Sequence, residues 1–193
     1  VIGAVLLLFT ASELGDLGGR ELGGFASLMQ LLLAALIASG LTADILNLFV
    51  WFEVAALASY GLTAFFLERP IALEAAFKTM VLTNMAAFYV FVAIAVTYAG
   101  HGALNVGQVR AALGADPRSA DLVALGLVVA GFGTKAGLVP FHGWLPDTYR
   151  ESPAEVSAVL SGIVSKAGLY GLLRIAIPKF PNVVDDWRVV LLV

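Results

Sequence analysis

The chain has 193 residues, of which 60% are hydrophobic and 13% are charged, and its mean hydropathy is +0.93. A soluble domain is ordinarily about 45–50% apolar and about 25% charged, so this composition excludes a soluble globular protein and favours one embedded in lipid. The net charge of -3 provides no basic field for nucleic acid. Because the sequence contains no cysteine, it also excludes disulfides, iron–sulfur ligation and covalent haem attachment by this chain.

Several apolar runs along the chain are long enough to cross a bilayer, which requires about 20 residues each. Residues 1–22 are interpreted as the end of a preceding transmembrane helix with its loop, and residues 178–193 as a loop and the start of the next helix, so we expect a piece of a longer polypeptide. Between them we predict five spans: Gly23 to Leu41, Ile45 to Leu67, Ile71 to Tyr98, Asp121 to Val139 and Val156 to Ile177.

Helix is the expected state of these spans. Unpaired backbone groups are costly in hydrocarbon, and the apolar runs lack the alternating pattern of a membrane β-strand. The predicted fold class is therefore all-α, a polytopic membrane helix bundle.

Three charged residues lie inside these apolar spans: Glu53, Lys135 and Lys166. Inserting a central Lys or Asp costs about 2.5–3.5 kcal/mol, so the three would cost on the order of 7–10 kcal/mol if each stood alone. A mutual ion pair or an internal file of water could offset this cost, since opposite charges close together attract strongly in low dielectric. A static pair that pins helices together is the alternative. Lys135, unlike the more central Lys166, could also extend its side chain to the interface.

The fourth span carries helix-breaking residues around its lysine, in GFGTKAGLVP. Gly133 and Gly137 flank Lys135, and Pro140 lacks a backbone donor and clashes with the preceding turn, so we expect the helix to break here. Interrupted helices at membrane depth often mark the ion site of a transporter. His142 follows the break. The unperturbed imidazole pKa of about 6.5 suits a proton relay. A packing role explains a histidine at a helix break equally well.

Glu74 and Lys78 are four residues apart with the acid on the N-terminal side, the more favourable order for a helical ion pair. An accessory place in an ion pathway and an interfacial pair with an extended lysine explain them equally well. Asp44 is interpreted as a helix cap. His101 is placed in a loop and is given no functional role.

No motif for bond-making chemistry is found. GFGTK lacks the spacing of a phosphate-binding P-loop, and the sequence contains no H-E-x-x-H, no G-x-S-x-G and no Cys/His cluster. We therefore predict that this chain holds no catalytic centre, no metal and no cofactor.

Two stretches resemble a known family. KAGLVPFHGWLPDTYRESPAEVSAVLSGIVSKAGLYGLLRI resembles the signature of the proton-translocating antiporter-like membrane subunits, which are shared by respiratory complex I, the multi-subunit sodium/proton antiporters and the membrane-bound hydrogenases. NLFVWFEVAALASYGLTAF resembles the glutamate-bearing helix of the same family. The resemblance implies an all-helical fold of about fourteen spans with two inverted five-helix repeats, each with one discontinuous helix. Residues 23–177 would form the first repeat.

The resemblance also implies roles for individual residues. Lys135 matches the lysine of the broken helix, Glu53 the acid that pairs with it, Lys166 the lysine of the following helix and His142 the histidine of the loop. As a hypothesis, Lys135 keeps or releases its proton according to whether Glu53 lies beside it, because an adjacent carboxylate favours the charged amine. The proton would then move towards Lys166.

The function implied is that of a multi-pass subunit of a prokaryotic cell membrane that conducts protons, alone or in exchange for sodium, beside other membrane subunits. Any redox chemistry, as in an NADH:quinone oxidoreductase, would belong to those other subunits. A non-conducting structural subunit is the first alternative, and Lys166 argues against it because no acid is evident at its depth. A transporter of a small solute is the second, but no substrate pocket is indicated. The residues do not decide among the three kinds of assembly.

Overall fold

The computed structural model describes residues 19–66, 68–115 and 118–179. Within these ranges the protein is built of helices and their connections, without β-strands. We number the helices α1 (Gly19–Leu41), α2 (Ile45–Thr63), α3 (Pro70–His101), α4 (Val106–Ala115), α5 (Ser119–Ala136), α6 (Leu145–Glu151), α7 (Ala154–Val159) and α8 (Ser165–Lys179); the π-helical segment Leu160–Val164 joins the last two.

Five of the helical stretches are long and apolar enough to cross a membrane, which confirms the predicted all-α membrane bundle. They are α1, α2, α3, α5 and the stretch Ala154–Ile175, and their ends differ from the predicted ones by at most four residues, as at Gly19 against Gly23. Large apolar side chains cover much of their outer surface, with Leu41, Ile37 and Leu57 among the most exposed. Most of the predicted terminal pieces, residues 1–22 and 178–193, lie outside the described residues.

Helix α2 lies between two apolar cores. One core joins it to α1 and α7 through buried side chains that include Phe25, Met29 and Leu62. The other core joins it to α3, α5 and α8, and in it the rings of Phe52 and Phe132 meet edge to face with centroids 5.3 Å apart. Because Glu53 follows Phe52 directly, this aromatic contact holds the middle of α2 close to α5.

The predicted helix break is confirmed at the end of α5. Gly137 has a left-handed backbone with φ of 71°, which a residue without a Cβ adopts at low cost. The amide of Gly137 donates to the Thr134 carbonyl at 3.0 Å and that of Leu138 to the Gly133 carbonyl at 2.9 Å, the paired bonds of a Schellman motif. The helix therefore ends at Ala136, before Pro140, and helical structure resumes at Leu145.

Candidate functional site

Glu53 and Lys135, 82 positions apart in sequence, form an ion pair inside the bundle. The Lys135 ammonium donates to Glu53 Oε1 at 2.9 Å, and the two side chains are 27% exposed for Glu53 and 8% exposed for Lys135. Glu53 lies eight residues after Ile45 and ten before Thr63, so the pair is near the middle of α2. The attraction between the two charges thereby offsets the free-energy cost of removing both from water.

The end of the broken helix fixes the position of Lys135. The residue lies in the last turn of α5, where the partial negative charge of the helix terminus favours a cation. Trp144, in the loop beyond the break, donates its indole N–H to the Thr134 carbonyl at 2.7 Å. On the other side, a Cβ atom at Gly168 of α8 would lie 2.6 Å from the Ala136 nitrogen, so only glycine permits this close approach. Neighbours on several elements thus hold the lysine backbone.

Lys166 and His142 do not join this pair. Lys166 is exposed at the surface of the described bundle, and its ammonium donates to the Ser161 carbonyl at 2.7 Å. That carbonyl belongs to the π-helical segment, whose wider turn displaces the regular hydrogen bonds. No carboxylate of the described residues lies within ion-pair distance of Lys166. His142 is exposed, and its imidazole bonds to no described side chain.

Glu74 and Lys78 form the predicted pair and are joined by a third charge. Lys78 Nζ lies 2.9 Å from Glu74 Oε1 and 3.2 Å from Asp147 Oδ2. All three side chains are at least half exposed, and they line a cleft of about 160 Å³ together with Glu151. Glu151, by contrast, is buried, and Arg69 pairs with it at 3.1 Å. This charged cleft, defined by Glu74, Lys78, Asp147 and Glu151, lies where α3 begins and α6 packs against it.

The prediction that His101 lies in a loop is wrong. His101 is the last residue of α3, its side chain is buried, and Nε2 lies 3.0 Å from Asp121 Oδ1. Asp121 also accepts from the Arg118 amide at 2.8 Å and so caps α5. The interpretation of Asp44 is confirmed, because its side chain accepts from the Asn47 amide at 2.8 Å. No group of three His, Asp or Glu side chains in the described ranges is arranged to hold a metal ion.

Sequence reasoning also missed a group of buried hydroxyls beside Lys135. The hydroxyl side chains line a cavity of about 30 Å³ that Lys135 also lines; they belong to Ser59, Tyr60, Thr63, Thr79, Thr83 and Thr148. The four-residue spacing of Thr79 and Thr83 on the apolar helix α3 was a signal, since it places both on one helix face. Thr148 could not be found this way because it arrives from α6, beyond the helix break.

Comparisons with known proteins match this chain to a family. The family model described as NADH:quinone oxidoreductase/Mrp antiporter, TM, matches residues 42–193. The NADH-quinone oxidoreductase subunit N of Desulforudis audaxviator is 35% identical over 177 residues, which are 90% of this chain and 34% of that protein. A Na(+)/H(+) antiporter subunit of Bacillus subtilis is 29% identical over 91% of this chain and 35% of its own length.

A solved structure is similar as well. One chain of the membrane-bound sulfane sulfur reductase, an archaeal respiratory membrane complex, superposes with a TM-score of 0.73 and 35% identity over 78% of this chain and 31% of that chain. The present chain thus spans about a third of the length of the relatives it matches. With its five apolar crossings, this multi-pass membrane protein belongs to the NADH:quinone oxidoreductase/Mrp antiporter transmembrane family.

Proposed function

We propose that this chain is part of a membrane subunit that conducts protons, alone or in exchange for sodium, within a complex of the complex I, membrane-bound hydrogenase or Mrp antiporter kind. The observation that carries the proposal is the ion pair between Glu53 and Lys135, with its Nζ to Oε1 distance of 2.9 Å. Ionisable residues inside membrane bundles are costly and typically mark an ion or proton pathway. The names of the relatives, an NADH-quinone oxidoreductase subunit and a sodium/proton antiporter subunit, support the same function.

The unequal environments of the two partners suggest how the pair works. Lys135 is buried, so its charged form depends on the carboxylate beside it. Glu53 is partly exposed, and its displacement is the step that we propose. When Glu53 moves away, the buried ammonium loses its counter-charge and releases its proton. Return of the carboxylate favours protonation again.

Lys166 is the proposed next carrier, although it does not touch the pair. Gly168, two residues further along α8, packs against the Lys135–Ala136 backbone, so Lys166 is close in space to the broken helix end. Its side chain points out of the described bundle. We therefore propose that it delivers the proton to the remainder of the protein, and that His142 and the Glu74–Lys78 pair act as accessory groups.

The surface of the bundle supports assembly with other membrane subunits. Large apolar side chains are exposed on the helices. Lys166, which is exposed within an apolar membrane-spanning helix, needs polar surroundings that lipid does not supply. We propose that residues 23–177 form one five-helix repeat of the longer subunit and that further helices and partner subunits cover part of this surface.

The test is proton flux into sealed membrane vesicles that contain the intact assembly. Lys135→Met and Glu53→Gln keep the side-chain length but remove the charge, and we expect each to reduce the flux to background. Arg20→Gln, which removes an exposed charge at the start of α1, should leave the flux unchanged. The amount of subunit in the membrane is measured for every variant.

The competing proposal is a structural subunit with a static ion pair. It predicts that both charge variants lower the thermal stability of the assembly while the flux per assembled complex stays normal. Normal flux in both variants would overturn the conducting role.

A further inference from the structure

We infer that a series of buried hydroxyl groups transfers protons between the charged cleft and Lys135; this inference rests on the proposed function. The hydroxyls belong to Thr79 and Thr83 on α3, Thr148 on α6 and Tyr60 on α2, and all four residues are buried. Together with Lys135 they line one cavity of about 30 Å³. They form two hydrogen-bonded pairs, one at each end of the proposed route.

The outer pair lies directly behind the charged cleft. Lys78 of α3 and Asp147 of α6 meet at 3.2 Å with half-exposed side chains. Thr79 and Thr148 are the next residues of the same two helices, and their hydroxyls are hydrogen-bonded to each other. This pair is therefore the first buried polar contact inward from an ion pair that water can reach.

The inner pair leads towards the buried ion pair. The Tyr60 hydroxyl is hydrogen-bonded to the hydroxyl of Thr83, one helical turn along α3 from Thr79. Tyr60 lies seven residues after Glu53 on α2, or about 10 Å along the helix axis. The Tyr60 hydroxyl and Lys135 line the same cavity of about 30 Å³, so the last transfer of the proposed route crosses this cavity.

The hydrogen bonds of the outer pair allow two proton arrangements. Thr79 Oγ1 lies 2.8 Å from the Ala75 carbonyl oxygen, and Thr148 Oγ1 lies 2.7 Å from the Trp144 carbonyl oxygen. A hydroxyl has a single hydrogen to donate, so both hydroxyls cannot donate to carbonyls and still bond to each other. Either Thr79 donates to Thr148, which donates to Trp144, or Thr148 donates to Thr79, which donates to Ala75.

The inner pair has the same freedom. Tyr60 can donate to Thr83 or to Asn84 Oδ1 at 3.4 Å, and Thr83 can donate to Tyr60 or to the Thr79 carbonyl at 2.7 Å. A hydroxyl in such a pair accepts a proton on a free lone pair while its own proton leaves to the next acceptor. Rotation about the C–O bond then restores the first arrangement. Within each pair one O–H bond breaks as another forms. At the end of the route the proton leaves a hydroxyl and forms an N–H bond with the neutral amine of Lys135, so each transfer conserves the proton.

Thr97 shows that burial on α3 does not by itself create such a route. It is buried like Thr79 and Thr83, and its hydroxyl donates to the Ala93 carbonyl at 2.7 Å in the same local geometry. It lines a separate cavity of about 10 Å³ and bonds to no other side chain in the described part of the chain. Thr97 is therefore the matched control.

The experiment measures the initial rate of proton flux in vesicles with the intact assembly. We expect Thr79→Val, Thr83→Val and Tyr60→Phe each to reduce the rate by about tenfold or more, the size of effect that loss of a proton-transfer group produces. Thr83→Ser restores the hydroxyl and should keep most of the rate, and Thr97→Val should behave like the unmodified protein. Because the delays of steps in series add and do not multiply, the double variant Thr79→Val/Thr83→Val should lose far less than the product of the two single losses.

Three outcomes would overturn the inference. The first is a normal rate in all three single variants while Lys135→Met remains inactive, which leaves the proposed function intact. The second is a loss in Thr83→Ser as large as in Thr83→Val, because packing rather than the hydroxyl would then matter. The third is a double variant whose loss is the product of the single losses, as for independent packing defects. Normal flux in Lys135→Met would instead refute the proposed function itself.

Discussion

At the scale of single residues, two pairs of ionisable side chains join different helices of this protein. The carboxylate of Glu53 lies 2.9 Å from the Lys135 ammonium, and the imidazole of His101 lies 3.0 Å from Asp121 Oδ1. In a buried pair the desolvation of each group is offset by the other, so removal of one partner leaves the second without compensation. The two pairs lie at different depths, one in the middle of α2 and one where α3 ends and α5 begins.

The His101–Asp121 pair gives a prediction on stability. Asp121→Ala leaves His101 and the Arg118 amide without the acceptor that they share in the native protein. Loss of a buried acceptor costs about 1–3 kcal/mol, so we expect a lower midpoint of thermal unfolding in detergent. Asp121→Asn keeps an oxygen that can accept a hydrogen bond, so its midpoint should fall clearly less than that of Asp121→Ala. Equal midpoints for Asp121→Ala and the unmodified protein would contradict the structural role of this pair.

At the scale of elements, the important event is the termination of α5 after Lys135. A helix that continued straight through the membrane would leave no loop to bring Trp144 back to the lysine backbone. The Schellman motif at Gly137 instead ends the helix, and α6, which follows the loop, brings Thr148 and Asp147 to α3. The break therefore builds both the ion pair's surroundings and the charged cleft.

The break gives a prediction that separates two glycines of one loop. In Gly137→Ala a residue with a Cβ atom must adopt the left-handed backbone conformation, which costs about 1–2 kcal/mol. The new Cβ would also lie 1.9 Å from Leu145 Cδ1. We expect a lower midpoint of thermal unfolding, measured by tryptophan fluorescence in detergent. Gly143→Ala is the control, because a Cβ there meets no atom within 4 Å. A midpoint for Gly137→Ala as high as that of the control would contradict this account of the helix end.

At the scale of the whole molecule, the described bundle exposes side chains that require two different environments. It exposes large apolar side chains, which lipid or other helices can cover, and it also exposes Lys166 on the same helix as the apolar Leu173. Only a polar or hydrated environment suits the lysine. The two residues are seven positions apart and so lie on nearly the same face of the helix.

This arrangement predicts where water reaches the assembled protein. The sequence contains no cysteine, so Lys166→Cys and Leu173→Cys each introduce a single thiol into this chain. In the intact assembly we expect a small hydrophilic thiol reagent to label Lys166→Cys and not Leu173→Cys, measured by mass shift after extraction. Failure to label Lys166→Cys, with labelling restored in denaturant, would contradict a hydrated environment for this lysine.

The sequence by itself determined the all-helical class, the five crossings and the break between Gly133 and Pro140. These properties depend on the hydropathy of contiguous residues and on local backbone chemistry. Because hydrocarbon contains no water to bond to the backbone, an apolar run that crosses the membrane must form a helix. The sequence also singled out Glu53 and Lys135, because charges within apolar runs are conspicuous.

Only the tertiary structure decided which of these groups meet. The contacts of Glu53 with Lys135, of His101 with Asp121 and of Thr79 with Thr148 join residues on different helices. Such contacts depend on which faces the helices turn towards one another, and a hydropathy pattern that is apolar all round does not specify this. For the same reason the sequence could not show that Lys166 points out of the bundle.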